Sequence, residues 1–166
     1  MPQGRAGALQ TLDLMAKLAR DGSRSMRVRQ LAVELTTHGF REGTGLAQKD
    51  FAGEAARLLE FVRDEIRYVR DIAHVETVHD ADRILQLGAG DCDDKAILLA
   101  ALLGSIGFEH VRFVAAAWAP DRFSHVWTQA FINGRWVDLE PTEPLPFGAS
   151  VPTGGVVAWL TKDVFG

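Results

Sequence analysis

The sequence predicts a single α+β domain of 166 residues, and three features indicate this fold class. Apolar residues recur at helical spacing along most of the chain before residue 70, as in amphipathic helices. The run from Ala96 to Leu103 is apolar on every face, which predicts a helix buried on all sides. Beyond it, β-rich segments flank Asn133-Gly134, a dipeptide typical of two-residue hairpin loops. Helices packed on an antiparallel sheet fit this pattern.

Four helices are predicted before the buried one. Each is indicated by apolar residues at helical spacing. Glycine-containing breaks separate the first three, and a polar, irregular stretch around His74 to His79 separates the third from the fourth. The clearest stripe starts at Phe51 and is expected to continue to about Arg70. The buried helix begins around Cys92 and is expected to end with Gly104 as its C-terminal cap. The four predicted segments are residues 5–20, 26–35, 51–70 and 81–87.

The second half of the chain is predicted to form the sheet. Segments 110–118, 124–132 and 135–140 have strand character, and 156–160 is a last strand or a turn. If Asn133-Gly134 is the hairpin loop, the numbers of paired residues sum to 267. Odd positions of the first hairpin strand then share a face with even positions of the second.

We expect one domain, 1–166, with three parts. Residues 1–55 form a helical extension, 56–142 form the core, and 143–166 form a loop-rich tail whose prolines and glycines suit a mobile flap. The N-terminus has no continuous apolar stretch of the kind found in signal peptides, and no run is long enough to cross a membrane. These features predict a cytoplasmic protein.

The composition excludes several kinds of site. One cysteine cannot form an internal disulfide, and no Cys/His run has the spacing of metal ligands. The 18 basic and 22 acidic side chains give a net charge of −4, which would repel a nucleic-acid backbone. The spacing of His74, His79 and His110 imposes no metal-binding geometry. We therefore expect no metal, no cofactor, and neither nucleic acid nor membrane as a partner.

Cys92, the single cysteine, is the candidate nucleophile. At the start of a helix, free backbone N–H groups and the positive end of the helix dipole lower a thiol pKa and could stabilise an oxyanion. Asp91, Asp93 and Asp94 surround the thiol, and their charges would raise the same pKa. An imidazolium could resolve this conflict. The structural alternative is an inert, buried cysteine.

His125, at the head of the first hairpin strand, is the candidate base. The predicted register places it on the same face as Asp138 and Glu140. Glu140 lies opposite Trp127, one diagonal step from His125, whereas Asp138 lies opposite Gln129, about 13 Å along the strand. The geometry favours Glu140 as the carboxylate that orients the imidazole, with Asp138 as the alternative.

The residues around this trio resemble the transglutaminase-like superfamily. The matching segments, all within residues 56–142, are 66–71 (IRYVRD), 90–96 (GDCDDKA), 124–127 (SHVW) and 134–142 (GRWVDLEPT). More narrowly, they are similar to small bacterial and phage-associated transglutaminase-like cysteine proteases. The resemblance implies a papain-like core, with the nucleophile at the tip of a buried helix that packs on an antiparallel sheet.

This resemblance implies roles for individual residues. Cys92 would be the nucleophile, and His125 would be the base and later the acid. The family's third residue is usually an aspartate four positions after the hairpin tryptophan. Counting from Trp136 gives Glu140. Either Glu140 replaces the aspartate, or a bulge brings Asp138 into the role, and we favour Glu140.

Four more residues are predicted to lie near the site. Asp93 and Asp94 match the acidic pair that follows the family's nucleophile, and their place at a helix start predicts capping and structural hydrogen bonds. Trp127 and Trp136 share the face of His125. Either could shield the imidazole from water, although core packing is the simpler role.

Two groups are candidate oxyanion donors. The backbone N–H of Cys92 is the first, because it lies at the start of the helix. The side chain of Gln86 is the second, because it lies six residues before Cys92, a spacing that papain-type proteases also show.

These residues predict thiol-dependent acyl transfer on a peptide or another amide. Water as the acceptor would make the protein a peptidase or amidase, and an amine would make it a transglutaminase. The small size and the lack of an evident calcium loop favour hydrolysis. The alternative is a non-catalytic binding module on the same scaffold, such as a component of a phage particle. The acids beside Cys92 and the unusual Glu140 favour that alternative.

Overall fold

The computed structural model describes residues 4–37, 50–70 and 78–166. Within these ranges the helices are α1 (Gly4–Ser23), α2 (Met26–Thr37), α3 (Phe51–Glu65), α4 (Ala81–Leu87) and α5 (Cys92–Ser105). The strands are β1 (Arg67–Tyr68), β2 (Ala89–Gly90), β3 (Val111–Ala119), β4 (Arg122–Ile132), β5 (Arg135–Leu139) and β6 (Ala158–Asp163). No helix in the described ranges has the length and apolar content needed to cross a membrane.

The main sheet is antiparallel, with strand order β5-β4-β3-β6. Its hairpin has the predicted register, because Ile132 pairs with Arg135 and Thr128 pairs with Leu139. Asn133 and Gly134 have φ values of 51° and 83°. A two-residue type I′ loop requires positive φ at both positions, which explains the Asn-Gly sequence.

Helix α5 lies at the centre of the core, as its uniformly apolar sequence predicts. Every residue from Asp93 to Leu103 is buried. The other four helices pack around α5, and β3 and β4 cover its remaining side. Thr128 Oγ1 donates to the Ala96 carbonyl at 3.2 Å, which satisfies a buried hydroxyl between β4 and α5.

The predicted cap of α5 is wrong. Gly104 lies inside the helix, which continues to Ser105. A Cβ atom at Gly104 would collide with the ring of Phe165, so this glycine makes room for the C-terminal segment. The left-handed residue after the helix is Gly107, with φ of 102°. Its N–H donates to the Gly104 carbonyl at 3.2 Å, as the last turn closes.

The predicted end of α3 is also wrong. Helix α3 ends at Glu65, and the next residues form β1, which pairs in parallel with β2. The N–H groups of Arg67 and Val69 donate to the carbonyls of Gly88 and Gly90 at 2.9 and 3.0 Å. The apolar stripe therefore continues past the helix, but tertiary pairing determines the backbone there. This pairing places Tyr68 beside Gly90, just before α5.

The tail contains the last strand and crosses the face of the sheet opposite α5. Strand β6 pairs with β3. Before it, the N–H of Val151 donates to Asp138 Oδ2 at 3.0 Å, and Trp118 Nε1 donates to the Gly154 carbonyl at 3.0 Å. These bonds tie the loop to the sheet, and the mobility expected of the tail stays a prediction.

Candidate active site

Cys92 is the first residue of α5 and is half-buried. Asp91 caps the helix by accepting from the Asp94 N–H at 3.0 Å, and Asp94 Oδ2 accepts from the Asp91 N–H at 3.4 Å. This reciprocal capping box uses the short acidic side chains that favour helix starts. It fixes the backbone on both sides of Cys92.

Asp94 also anchors the segment before α4. Its Oδ1 accepts from the His79 N–H at 2.9 Å, and its Oδ2 lies 3.1 Å from His79 Nδ1. Gly90 is needed beside it, because an added Cβ would lie 2.5 Å from the Cβ of Asp94. These contacts agree with the structural role expected of Asp94.

His125 and Glu140 are in direct contact. His125 Nε2 lies 2.6 Å from Glu140 Oε2, and the glutamate side chain is 1% exposed. Glu140 Oε1 accepts from the N–H groups of Thr142 and Glu143 at 2.7 and 3.2 Å. Because the carboxylate accepts the proton of Nε2, the neutral imidazole keeps Nδ1 unprotonated. His125 therefore has a free nitrogen that can accept a proton.

Asp138, the alternative third member, has different partners. Its Oδ1 accepts from Trp127 Nε1 at 2.8 Å and from Gln129 Nε2 at 2.6 Å. Its Oδ2 accepts from the Val151 N–H, as described above. This carboxylate connects the hairpin to the tail.

The Cys92 sulfur lies beside the β4 segment that carries His125. Because the hairpin loop has two residues, every second N–H group of β4 points toward β5. The Val126 N–H is one of these groups. Strand β5 ends at Leu139, and on the same register Pro141 would face Val126. The Val126 N–H instead acts on the Cys92 sulfur, where it tends to lower the pKa of the thiol. Strand termination thus exposes a donor next to the nucleophile.

Electrostatics keep the thiol protonated. Burial raises the pKa of Cys92 far above its ordinary value, and the charges of Asp93 and Asp91 add to this effect. Cys92 Sγ donates to Asp93 Oδ1 at 3.5 Å, and the Val126 N–H opposes the increase in pKa only partly. Burial, together with the acidic neighbours, therefore outweighs any lowering of the thiol pKa by the helix start.

The pKa of His125 is also raised. Burial acts to lower this pKa, but the hydrogen bond and charge of Glu140 outweigh it, with smaller contributions from Glu143 and Asp93. The thiol is therefore neutral, and the imidazole protonates more readily than usual. Proton transfer from sulfur to nitrogen would have to accompany attack on a substrate.

The two predicted tryptophans differ in position. Trp127 is buried and stacks on His125, with ring centroids 5.9 Å apart and an angle of 25° between the planes. Trp136 pairs with Phe131, six residues from His125 along β4, and the Arg112 guanidinium lies 3.9 Å from its ring centroid. Trp127 can shield the imidazole. The shielding role suggested for Trp136 is wrong, because Trp136 lies at the far end of the hairpin.

Gln86 lies on the exposed side of α4. Its Oε1 accepts from Arg83 Nη1 at 2.8 Å, one helical turn away. This contact gives no support to the idea that Gln86 donates to an oxyanion. The sequence pattern places Tyr68 in the α3 helix, whereas in the structure it lies beside Gly90.

The histidines outside the trio have ordinary contacts where they are described. His79 binds Asp94, and the ring of His110 meets the edge of Phe131 at 6.3 Å. His74 lies outside the described residues. Within the ranges that the structure covers, no three His, Cys, Asp or Glu side chains form a group that could hold a metal ion.

Comparisons with known proteins agree with this architecture. The family model described as the transglutaminase-like superfamily matches residues 39–141, more than half of the chain. No curated protein sequence matches. Among solved structures, the chain is similar to "a putative cysteine protease from Cytophaga hutchinsonii", with a TM-score of 0.56 and 21% identity. It is also similar to "a putative protease from Parabacteroides distasonis", with a TM-score of 0.59 and 15% identity.

These alignments cover 82% and 92% of this chain, but only 42% and 29% of the two neighbours. The chain therefore spans less than half the length of either structure. At these identities the likeness shows the fold. The predicted α+β class, with a buried helix packed on an antiparallel sheet, is confirmed.

Proposed function

Because this chain belongs to the transglutaminase-like superfamily, we propose that it is a cysteine-dependent enzyme that transfers the acyl group of an amide to water. Cys92 is the proposed nucleophile, His125 the base and Glu140 the orienting carboxylate. The proposed reaction requires protein groups and water and no cofactor. Its substrate class is a peptide or another amide, and we expect it to act in the cytoplasm, where a single thiol stays reduced.

One observation carries this proposal. Glu140, buried and held by two backbone N–H groups, binds Nε2 of His125. The N–H of the next residue of β4, Val126, acts on the Cys92 sulfur and tends to lower the thiol pKa. A nucleophile, a base and a group that orients the base are the parts that acyl transfer by a thiol requires.

The chemistry follows from the protonation states. Nδ1 of His125 takes the proton from Cys92 as sulfur attacks the carbonyl carbon, and Glu140 stabilises the imidazolium. The tetrahedral intermediate then collapses to a thioester, and the amine leaves with the proton from His125. In the second half, His125 takes a proton from water as the water attacks the thioester carbonyl. The C–S bond then breaks, His125 returns the proton to the Cys92 sulfur, and the carboxylic acid leaves.

The proposal can be tested with p-nitrophenyl acetate, an acyl donor that needs no dedicated substrate pocket. We expect a burst of p-nitrophenolate and an acetyl adduct on Cys92, detected by mass spectrometry. Cys92→Ala should abolish both, and His125→Ala should slow the burst by on the order of 10³-fold. His110→Ala is the matched control, because His110 packs on Phe131 at the other end of the sheet.

The alternatives have their own signatures in this assay. A non-catalytic module, which the raised thiol pKa favours, would react no faster than a simple thiol and would not respond to His125→Ala. That result would refute the enzyme. Adding a primary amine to the acyl-enzyme separates the two acceptors: preferential amide formation would indicate a transglutaminase, and unchanged acetate release would indicate a hydrolase. Co-purification with phage particles would support a role in their assembly.

A further inference from the structure

Tyr68 is the only tyrosine of the chain, and it lies beside the segment that leads into α5. Strand β1 pairs it with Gly90, two residues before Cys92, and the bonds of Arg67 and Val69 to β2 and its flanking glycine fix the backbone on both sides. The side chain is not part of the core, since the residue is 45% exposed. Its position next to α5 is thus built into the fold, while its phenol stays accessible.

Charges on both sides of the phenol affect its protonation. Burial raises the pKa of Tyr68, negative charge on Cys92 adds to the increase, and a hydrogen bond to Arg70 opposes it. A guanidinium can only donate, so Arg70 donates to the phenol oxygen and leaves the O–H proton for another acceptor. The phenol therefore remains a hydrogen-bond donor throughout the neutral pH range.

The proposed reaction needs such a donor. A thiolate that attacks a carbonyl places negative charge on the carbonyl oxygen, and one backbone N–H, that of Cys92, is available at the start of α5. The side chain expected to supply the second donor, Gln86, is instead bonded to Arg83 on an exposed helix face. Tyr68, which pairs with Gly90 two residues before Cys92, is the next candidate for that second donor.

We propose that the Tyr68 hydroxyl donates a hydrogen bond to the carbonyl oxygen of the substrate and to the oxyanion that forms from it. This assignment rests on the proposed function, and it makes Tyr68 a catalytic residue. It explains why a two-residue strand pair precedes the nucleophile: the pair holds a phenol beside the reacting sulfur.

Tyr68→Phe removes the hydroxyl and keeps the ring. We expect the maximal rate of acetylation by p-nitrophenyl acetate to fall by about 10²-fold, with little change in the concentration that gives half-maximal rate. Alkylation of Cys92 by iodoacetamide should proceed at the wild-type rate, because displacement at a saturated carbon creates no oxyanion. Gln86→Ala should change neither rate.

The outcomes separate this assignment from the function on which it rests. A Tyr68→Phe variant that acetylates at the wild-type rate, while Cys92→Ala is inactive, would overturn the role of Tyr68 alone. Equal losses in acetylation and alkylation would also overturn it, since they would show that the ring merely shapes the site. A wild-type protein without acetylation that depends on Cys92 would overturn both proposals. Thermal unfolding of each variant shows whether the fold is intact.

Discussion

Glu140 and Asp138 are two carboxylates only two residues apart, yet the structure gives them different environments. Both were expected on the face of the hairpin that carries His125, and both accept several hydrogen bonds. Asp138 lies within β5, where its neighbours across the strand are uncharged donors. Glu140 lies just past the end of β5 and binds an imidazole.

The difference shows what the end of a strand contributes to a site. Inside the ladder, the position of Asp138 opposite Gln129 determines its partners. Beyond Leu139, the chain turns at Pro141, and the N–H groups of Thr142 and Glu143 are free to bind Glu140 from behind. The backbone thus holds one oxygen of Glu140, and the other is directed at His125. No such turn follows Asp138.

The roles of the two carboxylates can be compared in the variants Glu140→Gln and Asp138→Asn, because both changes remove the charge and keep the shape of the side chain. We expect Glu140→Gln to lower the rate of acetylation by p-nitrophenyl acetate by on the order of 10³-fold, because the imidazolium loses its counter-charge and Nε2–H its acceptor. The rate is measured from the p-nitrophenolate burst.

Asp138→Asn is the matched control for that measurement, since it should leave the burst within about threefold of wild type. If the two variants lost activity equally, the two carboxylates would contribute equally to the reaction, and the assignment of Glu140 alone would be wrong. If Asp138→Asn alone lost activity, Asp138 would be the third member of the site.

A second, smaller effect concerns pH. His125 acts as a base only when neutral, and its pKa is raised above the ordinary value of 6.5 despite burial, chiefly by Glu140. Acetylation by the wild type should therefore increase with pH through a midpoint above 6.5. In Glu140→Gln, burial dominates and the midpoint should move to lower pH. NMR titration of the imidazole C–H protons measures the same pKa directly. A midpoint unaffected by Glu140→Gln would contradict the assignment.

Stability should change with pH in the same direction. A histidine whose pKa is raised on folding stabilises the folded state fully below its unfolded pKa, and this contribution is lost as pH rises through the folded pKa. The free energy of unfolding lost in Glu140→Gln should therefore be larger at about pH 5.5 than at about pH 8.5. Urea unfolding at the two pH values measures this difference. Asp138→Asn should show no comparable pH dependence.

The hairpin shows how much of this site the sequence contains. Asn133-Gly134 determines the register, and the register alone favours Glu140 over Asp138 as the neighbour of His125. Cys92 at the head of a buried helix also follows from the apolar run after it. These features depend on local geometry that repeats with a fixed period.

The remaining features depend on contacts between distant segments. Tyr68 lies within the segment that the apolar stripe of α3 extends to about Arg70, and only its pairing with Gly90 takes it out of that helix. Gly104 is the residue type expected at a helix cap, and only its contact with the ring of Phe165 shows that its role is to make room for that ring. Gln86 lies six residues before Cys92, the spacing of an oxyanion donor in papain-type proteases, but the direction of α4 places its side chain at the surface. Periodicity contains no information about such partners.

The smallest expected effect is on stability, and it distinguishes Asp138, which has a structural role, from Glu140, which acts in the proposed reaction. Asp138→Asn replaces one carboxylate oxygen by an amide group, which cannot accept from Trp127, Gln129 and Val151 together. We expect the free energy of unfolding to fall by about 2 kcal/mol and amide hydrogen exchange at Val151 to become faster. Glu140→Gln should leave exchange at Val151 unchanged, because the bond that protects it belongs to Asp138. Faster exchange in both variants would show that the tail responds to the net charge of the region and not to the bond with Asp138.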